Sequence, residues 1–295
     1  MRYRQLGRSG LTISVVGLGT RSFGRTCDEA HARAVVGEAI EQGVTFIDTA
    51  ASYADGDSET MLGKVLEGKR DDVIVASKFG GPRSVSPERA LGSRRYIRQA
   101  VEESLRRLRT DRIDLYMIHV PDDKTPMEET LDALNDLVSA GKVLYLGTSN
   151  FEPWRVVEGE WAARRSNTPS RFITAQNQYS LLGREVEQDL VPVCERYDIG
   201  LLPWRPLGAG LLTGSQGVGP DADPVQLGRI KALEAYASER GIGILDVAIG
   251  GLAAMPAVSS VLTGAERPEE IRANAAASDW IPSAEDLAAL KLATA

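Results

Sequence analysis

Short apolar runs alternate with longer amphipathic segments along this chain. The segments SRRYIRQAVEESLRRL and MEETLDALNDLVSAGK, for example, carry apolar residues at the spacing of one helix face. The apolar runs of strand length are ISVVGLGT (13–20), TFIDTA (45–50), VIVASK (73–78), IDLYMIH (113–119), VLYLGTSN (143–150), FITAQNQY (172–179), GLLPWRPL (200–207) and SSVLTGA (259–265). Strands that alternate with helices in this way predict parallel pairing through right-handed crossovers.

The number of strand–helix repeats indicates a closed barrel. Eight such units over about 250 residues are typical of the (β/α)8 fold. The alternative is a doubly wound open sheet, which would carry GxGxxG after its first strand. The nearest stretches, GLGTRSFG (17–24) and GAGLLTG (208–214), have the wrong spacing. We therefore predict an α/β fold in which residues 1–295 form one (β/α)8 TIM barrel domain.

Two stretches lie outside this repeat. The opening segment YRQLGRSGLTIS (3–14) is predicted to form a β-hairpin that caps the barrel bottom. The segment TGSQGVGPDADP (213–224) is rich in Gly, Pro and Asp, which indicates a mobile loop after the seventh strand.

Composition and charge narrow the class of protein. The chain has 295 residues and a net charge of −7, which argues against a nucleic-acid binder with a clustered basic face. Its two cysteines, Cys27 and Cys194, form no CxxC motif and fit a reducing compartment. The N-terminus lacks the apolar core of a signal peptide, and no apolar run reaches the roughly 20 residues of a membrane helix. We expect a soluble, cytoplasmic protein that binds neither nucleic acid nor a membrane.

Polar residues end several of the predicted strands, where the apolar pattern alone would continue with another hydrophobe. In a (β/α)8 barrel these strand ends meet at one rim and form the pocket. Each residue alone has an ordinary explanation, such as a turn-forming Asp, a snorkelling Lys or a structural His. Together, with a tyrosine in the loop beyond the second strand, they form a candidate site: Asp48, Tyr53, Lys78, His119, Ser149, Asn150 and Gln176.

The residue types at this rim exclude some reactions. The only histidines are His31 and His119, and no HxH or HExxH motif is present, so no His-rich metal site is expected. A glycosidase needs two facing carboxylates, and beside Asp48 only Glu59 is a poor second candidate. Schiff-base chemistry at Lys78 stays an alternative, although a lysine beside Asp48 would remain charged.

Beside these reactions, the residues at the rim would allow Tyr53 to act as a proton donor. A free phenol has a pKa of about 10, and a neighbouring Lys78 ammonium is expected to lower that pKa. Asp48 would hold the ammonium, and His119 would hydrogen-bond the substrate oxygen. This set would protonate the oxyanion that forms when hydride reaches a carbonyl carbon.

The order of motifs resembles that of the aldo-keto reductase family. GLGT, FIDTAASYADGDSE, ASK, IDLYMIH, GTSNF, QNQYSLL, PLGAGLLTG and GAERPEEIRAN follow one another, and the resemblance covers Tyr3 to about Asn274. It implies that Asp48, Tyr53, Lys78 and His119 are the family's catalytic tetrad. It also implies an oxidoreductase that reduces an aldehyde or ketone to an alcohol with NAD(P)H bound across the barrel top, without a Rossmann domain.

The resemblance implies the cofactor contacts as well. Ser149, Asn150 and Gln176 match the residues that hold the carboxamide, and Trp204 matches the aromatic that stacks on the nicotinamide. The 205–211 loop would approach the pyrophosphate, where glycine permits close contact, and residues 264–274 would hold the adenosine end. The complete cofactor set is Gly19, Thr20, Arg21, Asp48, Ser149, Asn150, Gln176, Trp204, Arg205, Pro206, Leu207, Gly208, Gly210, Leu211, Gly264, Glu266, Arg267, Glu270 and Asn274.

The chain departs from the family pattern at the adenosine end. Relatives that prefer NADPH often carry Lys or Arg around the position of Glu266 and Gln or Arg at that of Glu270, whereas acidic side chains would repel a 2′-phosphate and suit a ribose hydroxyl. Arg205 and Arg267 could supply positive charge instead. We expect NADPH, with NADH as the alternative. The loop after GLLTG is also short for the family, which predicts a more open cofactor site.

The resemblance implies the class of substrate, and the loops supply the candidate pocket residues. The expected substrate is a small-molecule carbonyl compound contacted by Phe23, Tyr53, His119, Val120 and Phe151, with Arg21 and Pro82 as further pocket candidates. A monomer or small homo-oligomer is expected. The alternative function is a cofactor-binding, redox-sensing regulatory subunit with little turnover.

Overall fold

The strands form a small hairpin and a barrel. The structure is a computed structural model that describes residues 1–81, 90–166, 168–214 and 223–294. The hairpin consists of β1 (Tyr3–Gln5) and β2 (Thr12–Ser14). The barrel strands are β3 (Val16–Gly19), β4 (Phe46–Asp48), β5 (Ile74–Phe79), β6 (Ile113–Ile118), β7 (Val143–Ser149), β8 (Phe172–Gln176), β9 (Gly200–Leu201) and β10 (Val261–Gly264).

The eight barrel strands form one parallel sheet that closes on itself. Their order is β10-β3-β4-β5-β6-β7-β8-β9, so each strand lies beside its neighbour in sequence. The two ends of this order, β9 and β10, are joined by a parallel bridge between Leu201 of β9 and Val258, which precedes β10. The Leu262 amide, which donates to the Pro203 carbonyl at 3.0 Å, extends this seam. The predicted (β/α)8 fold is confirmed.

Helices follow the barrel strands and cover the outside of the sheet. Five of the described helices begin at side chains that accept a hydrogen bond from the first turn, namely Asp28, Ser93, Asp189, Asp223 and Ser283. In the described ranges the α-helices are α1 (Glu29–Glu41), α2 (Asp57–Val65), α3 (Arg94–Leu108), α4 (Met127–Ser139), α5 (Pro153–Arg165), α6 (Leu190–Tyr197), α7 (Pro224–Glu239), α8 (Ile244–Ala253), α9 (Pro268–Ala277) and α10 (Ala284–Ala293). None of them combines the length and apolar character that a membrane crossing requires.

The N-terminal hairpin seals the lower end of the barrel, as predicted. Leu6 and Ile13 are fully buried and pack with Phe46, Leu115 and other side chains that fill the barrel interior. The Arg4 guanidinium donates to two main-chain carbonyls of the 253–258 segment, at 2.8 and 2.6 Å. This closed end leaves the C-terminal ends of the strands as the open face.

Alternation along the strands points the candidate residues inward. Ala76 and Met117 belong to the interior cluster, and Ile74 packs against it. Lys78 follows Ala76 by two residues on the same strand, so its side chain shares the interior face. The strand pattern read from the sequence therefore placed Lys78 at the top of the barrel interior correctly.

Several strands are shorter than the predicted runs, and the first and seventh runs differ most. The first run, 13–20, is divided, because Ile13 and Ser14 pair with β1 in the hairpin and the barrel strand begins at Val16. The seventh run, 200–207, contributes only Gly200–Leu201, since Pro203 and Pro206 have no N–H for a ladder. Of the predicted 213–224 loop, residues 215–222 lie outside the described ranges, and Pro224 begins α7. The assignment of residues 1–295 to one domain stays a prediction.

Candidate active site

A buried lysine–aspartate pair lies at the centre of the rim. The Lys78 ammonium is fully buried and donates to Asp48 Oδ2 at 2.7 Å and to the Thr49 carbonyl at 2.8 Å. The two residues meet because β4 and β5 are adjacent parallel strands in which Asp48 is paired with Ala76, two residues before Lys78. The third contact of this ammonium is to the Tyr53 hydroxyl, at 3.3 Å. Asp48, Lys78 and Tyr53 thus form one connected group.

Tyr53 reaches this group from a strained turn. Its amide donates to the Ala50 carbonyl at 3.0 Å, which closes the turn directly after β4. The next three residues all have positive φ: Ala54 at 49°, Asp55 at 54° and Gly56 at 98°. Two consecutive non-glycine residues in this region cost about 1–3 kcal/mol each, and such strain is concentrated at functional sites.

The Tyr53 phenol is a weaker acid than the sequence suggested. Burial raises the pKa of Tyr53 above its ordinary value of 10.0, while the Lys78 ammonium lowers it and Asp48 raises it further. The expected net lowering of this pKa is therefore wrong for the protein without ligands, because desolvation of the phenolate outweighs the attraction of one ammonium. Tyr53 carries its proton at neutral pH, which is the state that a proton donor requires.

Lys78 retains its charge despite complete burial. Burial alone would lower the pKa of the ammonium, but the Asp48 carboxylate and Tyr53 raise it above its ordinary value of 10.5. Imine formation requires the neutral amine. The pair therefore disfavours the Schiff-base alternative and supports a role for Lys78 as a fixed positive charge.

His119 completes the group as a neutral imidazole. Its amide extends the β5–β6 ladder by donating to the Phe79 carbonyl at 2.8 Å. Its ring lies edge-on to that of Tyr53, with 5.8 Å between centroids. Burial first, and then the Lys78 and Arg21 charges, lowers the pKa of His119 from 6.5 to about 3. All four members of the predicted tetrad therefore meet at one rim.

The residues predicted to hold the carboxamide are joined to the same rim. Gln176 Nε2 donates to Asp48 Oδ1 at 2.9 Å, across the barrel from β8 to β4. Asn150 Nδ2 donates to the His119 carbonyl at 2.9 Å and to Ser149 Oγ at 3.1 Å. Trp204 Nε1 donates to Asn150 Oδ1 at 3.2 Å. These hydroxyl and amide groups match the donors and acceptors of a carboxamide.

The loop after β9 exposes backbone at the barrel top. Arg205, Gly208, Ala209 and Gly210 all have positive φ, and Arg205 is exposed. A Cβ at position 208 would lie 2.9 Å from Leu182 Cδ1, so both backbone conformation and space favour glycine there. The neighbouring loop residues are half-buried or buried: Leu207 and Leu211 are half-buried, and Pro206 is buried. The approach of a pyrophosphate to this loop stays a prediction.

At the predicted adenosine end, the carboxylates of Glu266 and Glu270 accept hydrogen bonds from neighbouring residues. Glu270 Oε2 accepts the Glu266 amide at 2.8 Å, and Glu270 Oε1 accepts from Arg267 at 2.7 Å. Thr26 Oγ1 donates to Glu266 Oε1 at 2.5 Å, which joins the β3–α1 loop to the β10–α9 loop. Asn274 Nδ2 donates to the Gly264 carbonyl at 3.3 Å. The Arg267 charge is thus already neutralised by a carboxylate.

The other predicted cofactor and substrate residues lie partly at the rim and partly in the core. Gly19 ends β3, and Thr20 Oγ1 donates to the Asp48 carbonyl at 3.1 Å, so this segment lies directly beside the tetrad, and the next residue, Arg21, is exposed. Phe23 and Phe151 are instead buried in the hydrophobic core. Their expected contact with a substrate is not supported, because core packing covers both side chains. Val120 is half-buried beside His119, and Pro82 lies outside the described residues.

Comparison with known proteins agrees with this geometry. The sequence pattern described as "Aldo/keto reductase family" matches residues 15–293. The chain belongs to the aldo/keto reductase family. Membership supports oxidoreductase activity and agrees with the barrel and its N-terminal hairpin.

Relatives of this aldo/keto reductase have different descriptions. An "Aldo-keto reductase YhdN" of Bacillus subtilis is 33% identical over 97% of this chain and 91% of its own length. An "Uncharacterized oxidoreductase YrpG" of the same species is 34% identical over 92% of this chain and 89% of its own length. A "Probable voltage-gated potassium channel subunit beta" of Arabidopsis thaliana is 33% identical over 96% of this chain and 92% of its own length.

Sequence reasoning missed one residue that contacts the tetrad at this rim. Ser52, directly before Tyr53, places its Oγ 3.2 Å from Nδ1 of His119. No periodic pattern marks a serine in a loop, so its only signal was its position beside the predicted proton donor.

The lowered pKa of His119 makes the stability of the reductase depend on pH. In the unfolded chain, His119 takes up a proton below about pH 6.5, whereas in the folded protein it does so only near pH 3. The contribution of neutral His119 is complete above pH 6.5 and declines as the pH falls towards 3, by up to about 1.4 kcal/mol per pH unit. We expect His119→Gln to flatten this part of the profile, measured by urea unfolding at several pH values. Profiles of unfolding free energy against pH that run parallel for the wild type and His119→Gln would contradict the lowered pKa of His119.

Proposed function

We propose that this aldo/keto reductase reduces an aldehyde or ketone to an alcohol with NAD(P)H, and that Tyr53 donates the proton. The observation that carries the proposal is the unbroken contact from Asp48 through the buried Lys78 ammonium to the Tyr53 hydroxyl. A bound NAD(P)H supplies the hydride for such a reduction. The chain itself supplies the proton and the site in which the oxygen is held.

Each member of the tetrad has a separate role in this proposal. Neutral His119 donates a hydrogen bond to the carbonyl oxygen, which orients it towards the Tyr53 hydroxyl. Tyr53 transfers its proton as negative charge develops on that oxygen. The Lys78 ammonium, held by Asp48, then stabilises the phenolate that remains. The edge-on contact between the Tyr53 and His119 rings brings both donors to one side of the site.

Dinucleotide binding is supported by the amide and hydroxyl groups beside the tetrad. Ser149, Asn150 and Gln176 would hold the carboxamide, and the half-buried Trp204 would offer its ring to the nicotinamide. A Cβ at Gly264 would meet nothing within 4 Å, so the backbone there is open to an adenosine group. The residues present therefore fit the expected cofactor.

Two measurements test the proposal. Oxidation of NADPH and of NADH is followed with a panel of aromatic, aliphatic and sugar aldehydes, and binding of each dinucleotide is followed by quenching of tryptophan fluorescence. We expect turnover with at least one aldehyde and quenching that is strongly reduced in Trp204→Phe, since Trp204 Nε1 contacts Asn150 beside the tetrad. Absence of both binding and turnover would contradict the proposal.

The Arg267–Glu270 ion pair is expected to control dinucleotide choice. Glu270→Gln keeps an oxygen that can accept the Glu266 amide but removes the charge that neutralises Arg267. We expect the ratio of NADPH to NADH affinity to rise by about three- to tenfold, because Arg267 becomes available to a 2′-phosphate and exposed ion pairs contribute modestly. Isothermal calorimetry with both dinucleotides measures this ratio.

Glu269→Gln is the matched control for that change. Glu269 lies 3.6 Å from Arg267, farther than Glu270 at 2.7 Å, and removal of the same charge should change the ratio less. Equal changes in the two variants would mean that general charge, and not the ion pair, sets the preference.

A regulatory role is the second candidate. The similarity to a protein described as a potassium channel subunit beta favours it. Under this alternative the chain binds the dinucleotide and a partner protein but turns over slowly. Tight fluorescence quenching by NADPH with negligible oxidation on every aldehyde would support the regulatory role over the enzymatic one.

A further inference from the structure

The tetrad histidine has a hydrogen-bond partner that the proposed reaction does not use. Ser52 Oγ lies 3.2 Å from Nδ1 of His119. Within the described ranges this is the one hydrogen bond of the imidazole ring. Nε2 is therefore the ring nitrogen that remains for a substrate oxygen.

The backbone around Ser52 fixes this contact. The Ala51 amide donates to the Lys78 carbonyl at 3.0 Å, and the Tyr53 amide donates to the Ala50 carbonyl at 3.0 Å, so Ser52 is held on both sides. A Cβ at Gly81 would lie 2.5 Å from the Ser52 Cβ and 3.4 Å from Nδ1 of His119. The close approach of this glycine leaves little room for Ser52 to move away from the ring.

The protonation state of the ring makes this contact important. Burial lowers the pKa of His119 to about 3, so at neutral pH the ring carries one proton on either Nδ1 or Nε2. Only the form with the proton on Nε2 can donate to a carbonyl oxygen. The other form would present a bare nitrogen lone pair to the lone pairs of that oxygen.

A serine hydroxyl can either donate or accept, and the surroundings favour donation. Among the described residues, Nδ1 of His119 is the one hydrogen-bond partner of Ser52 Oγ. If the hydroxyl accepted from Nδ1–H, its own proton would have no protein acceptor there. If it donates, one hydrogen bond satisfies both the hydroxyl proton and the Nδ1 lone pair.

We propose that the Ser52 hydroxyl donates to Nδ1 of His119 and so keeps the ring proton on Nε2, which makes Ser52 a positioning residue for carbonyl recognition. The hydrogen bond at the other nitrogen selects the form of the ring, as an outer partner does for histidines at metal and catalytic sites. The importance of the Nε2 proton for catalysis rests on the proposed reductase function. The position of the proton on the ring is independent of that function.

Nitrogen-15 NMR tests the proton position directly, without any turnover. The chain has only two histidines, and His31→Gln identifies the signals of His119. We expect the wild-type His119 to show a protonated Nε2 and a bare Nδ1 at neutral pH. Ser52→Thr should keep this pattern because it retains the hydroxyl, and Ser52→Ala should shift both nitrogens towards averaged values.

Kinetics test the consequence for the reaction. For Ser52→Ala we expect kcat to fall about fivefold, the size of one neutral hydrogen bond, with little change in the Kd for NADPH. Ser52→Thr should restore most of the lost kcat. A general structural defect would instead lower the kcat of both variants and weaken dinucleotide binding.

The outcomes separate this inference from the proposed function. A proton on Nδ1 in the wild type, or an unchanged Nε2–H pattern in Ser52→Ala, would overturn the role of Ser52. The expected NMR pattern in a protein that reduces no aldehyde would support the role of Ser52 in setting the ring and would argue against the reductase function.

Discussion

Tyr53→Phe is expected to lower kcat by about 10²- to 10⁴-fold, the usual contribution of a general acid. The substitution removes the hydroxyl that contacts the Lys78 ammonium at 3.3 Å and leaves the ring in contact with His119. Because the pKa of Tyr53 is raised by burial, the wild-type hydroxyl is protonated throughout the neutral range and can act as the acid there. Dinucleotide affinity should stay nearly unchanged.

Single-turnover reduction and dinucleotide binding, measured on the same preparations, check this prediction. Tyr145→Phe is the matched control. Tyr145 lies near the N-terminal end of β7, away from the rim, and packs against the barrel interior. The control should retain wild-type kcat. Turnover of Tyr53→Phe within a few-fold of wild type would remove Tyr53 from the role of acid.

Lys78→Met is expected to abolish measurable reduction and also to destabilise the fold by about 3–5 kcal/mol. Asp48 is 3% exposed, so removal of the ammonium leaves a buried carboxylate without its charged partner. The Gln176 amide still contacts that carboxylate, but a neutral donor cannot replace the lost charge. Urea unfolding and the aldehyde assay measure the two effects separately.

A double variant separates catalysis from stability. Lys78→Met combined with Asp48→Asn removes both charges and keeps an acceptor for the Gln176 amide. We expect most of the free energy of unfolding to return, because burial of two neutral groups is tolerated where an isolated charge is not. Activity should remain absent. Recovery of turnover in the double variant would show that the lysine acts only through stability.

The sequence was most informative where a local pattern has one structural meaning. The run VIVASK placed Lys78 on the interior face through alternation, and the same argument applied to His119 at the end of IDLYMIH. Since parallel strands of a barrel end at one rim, the residues at those ends had to lie near one another. The approach of Lys78 to Asp48 was therefore predictable without coordinates.

Other features depend on several distant segments at once. The predicted direction of the Tyr53 pKa was wrong because one ammonium was considered without the burial that surrounds it. Phe23 and Phe151 were expected at the pocket because they lie in loops at the rim, yet their side chains pack in the core. The pairing of Arg267 with Glu270 was equally hidden, since the sequence shows charges but not their contacts.

By itself, the sequence determined the strand–helix order, the barrel, the capping hairpin and the identity of the residues at the rim. These follow from periodicity, turn residues and motif order, which are local properties of the chain. Only the tertiary structure decided the protonation of Tyr53 and His119, the charge available at Arg267 and the contact of Ser52 with the imidazole. Desolvation and hydrogen bonding depend on every group that surrounds a side chain, and those groups come together only when the barrel closes.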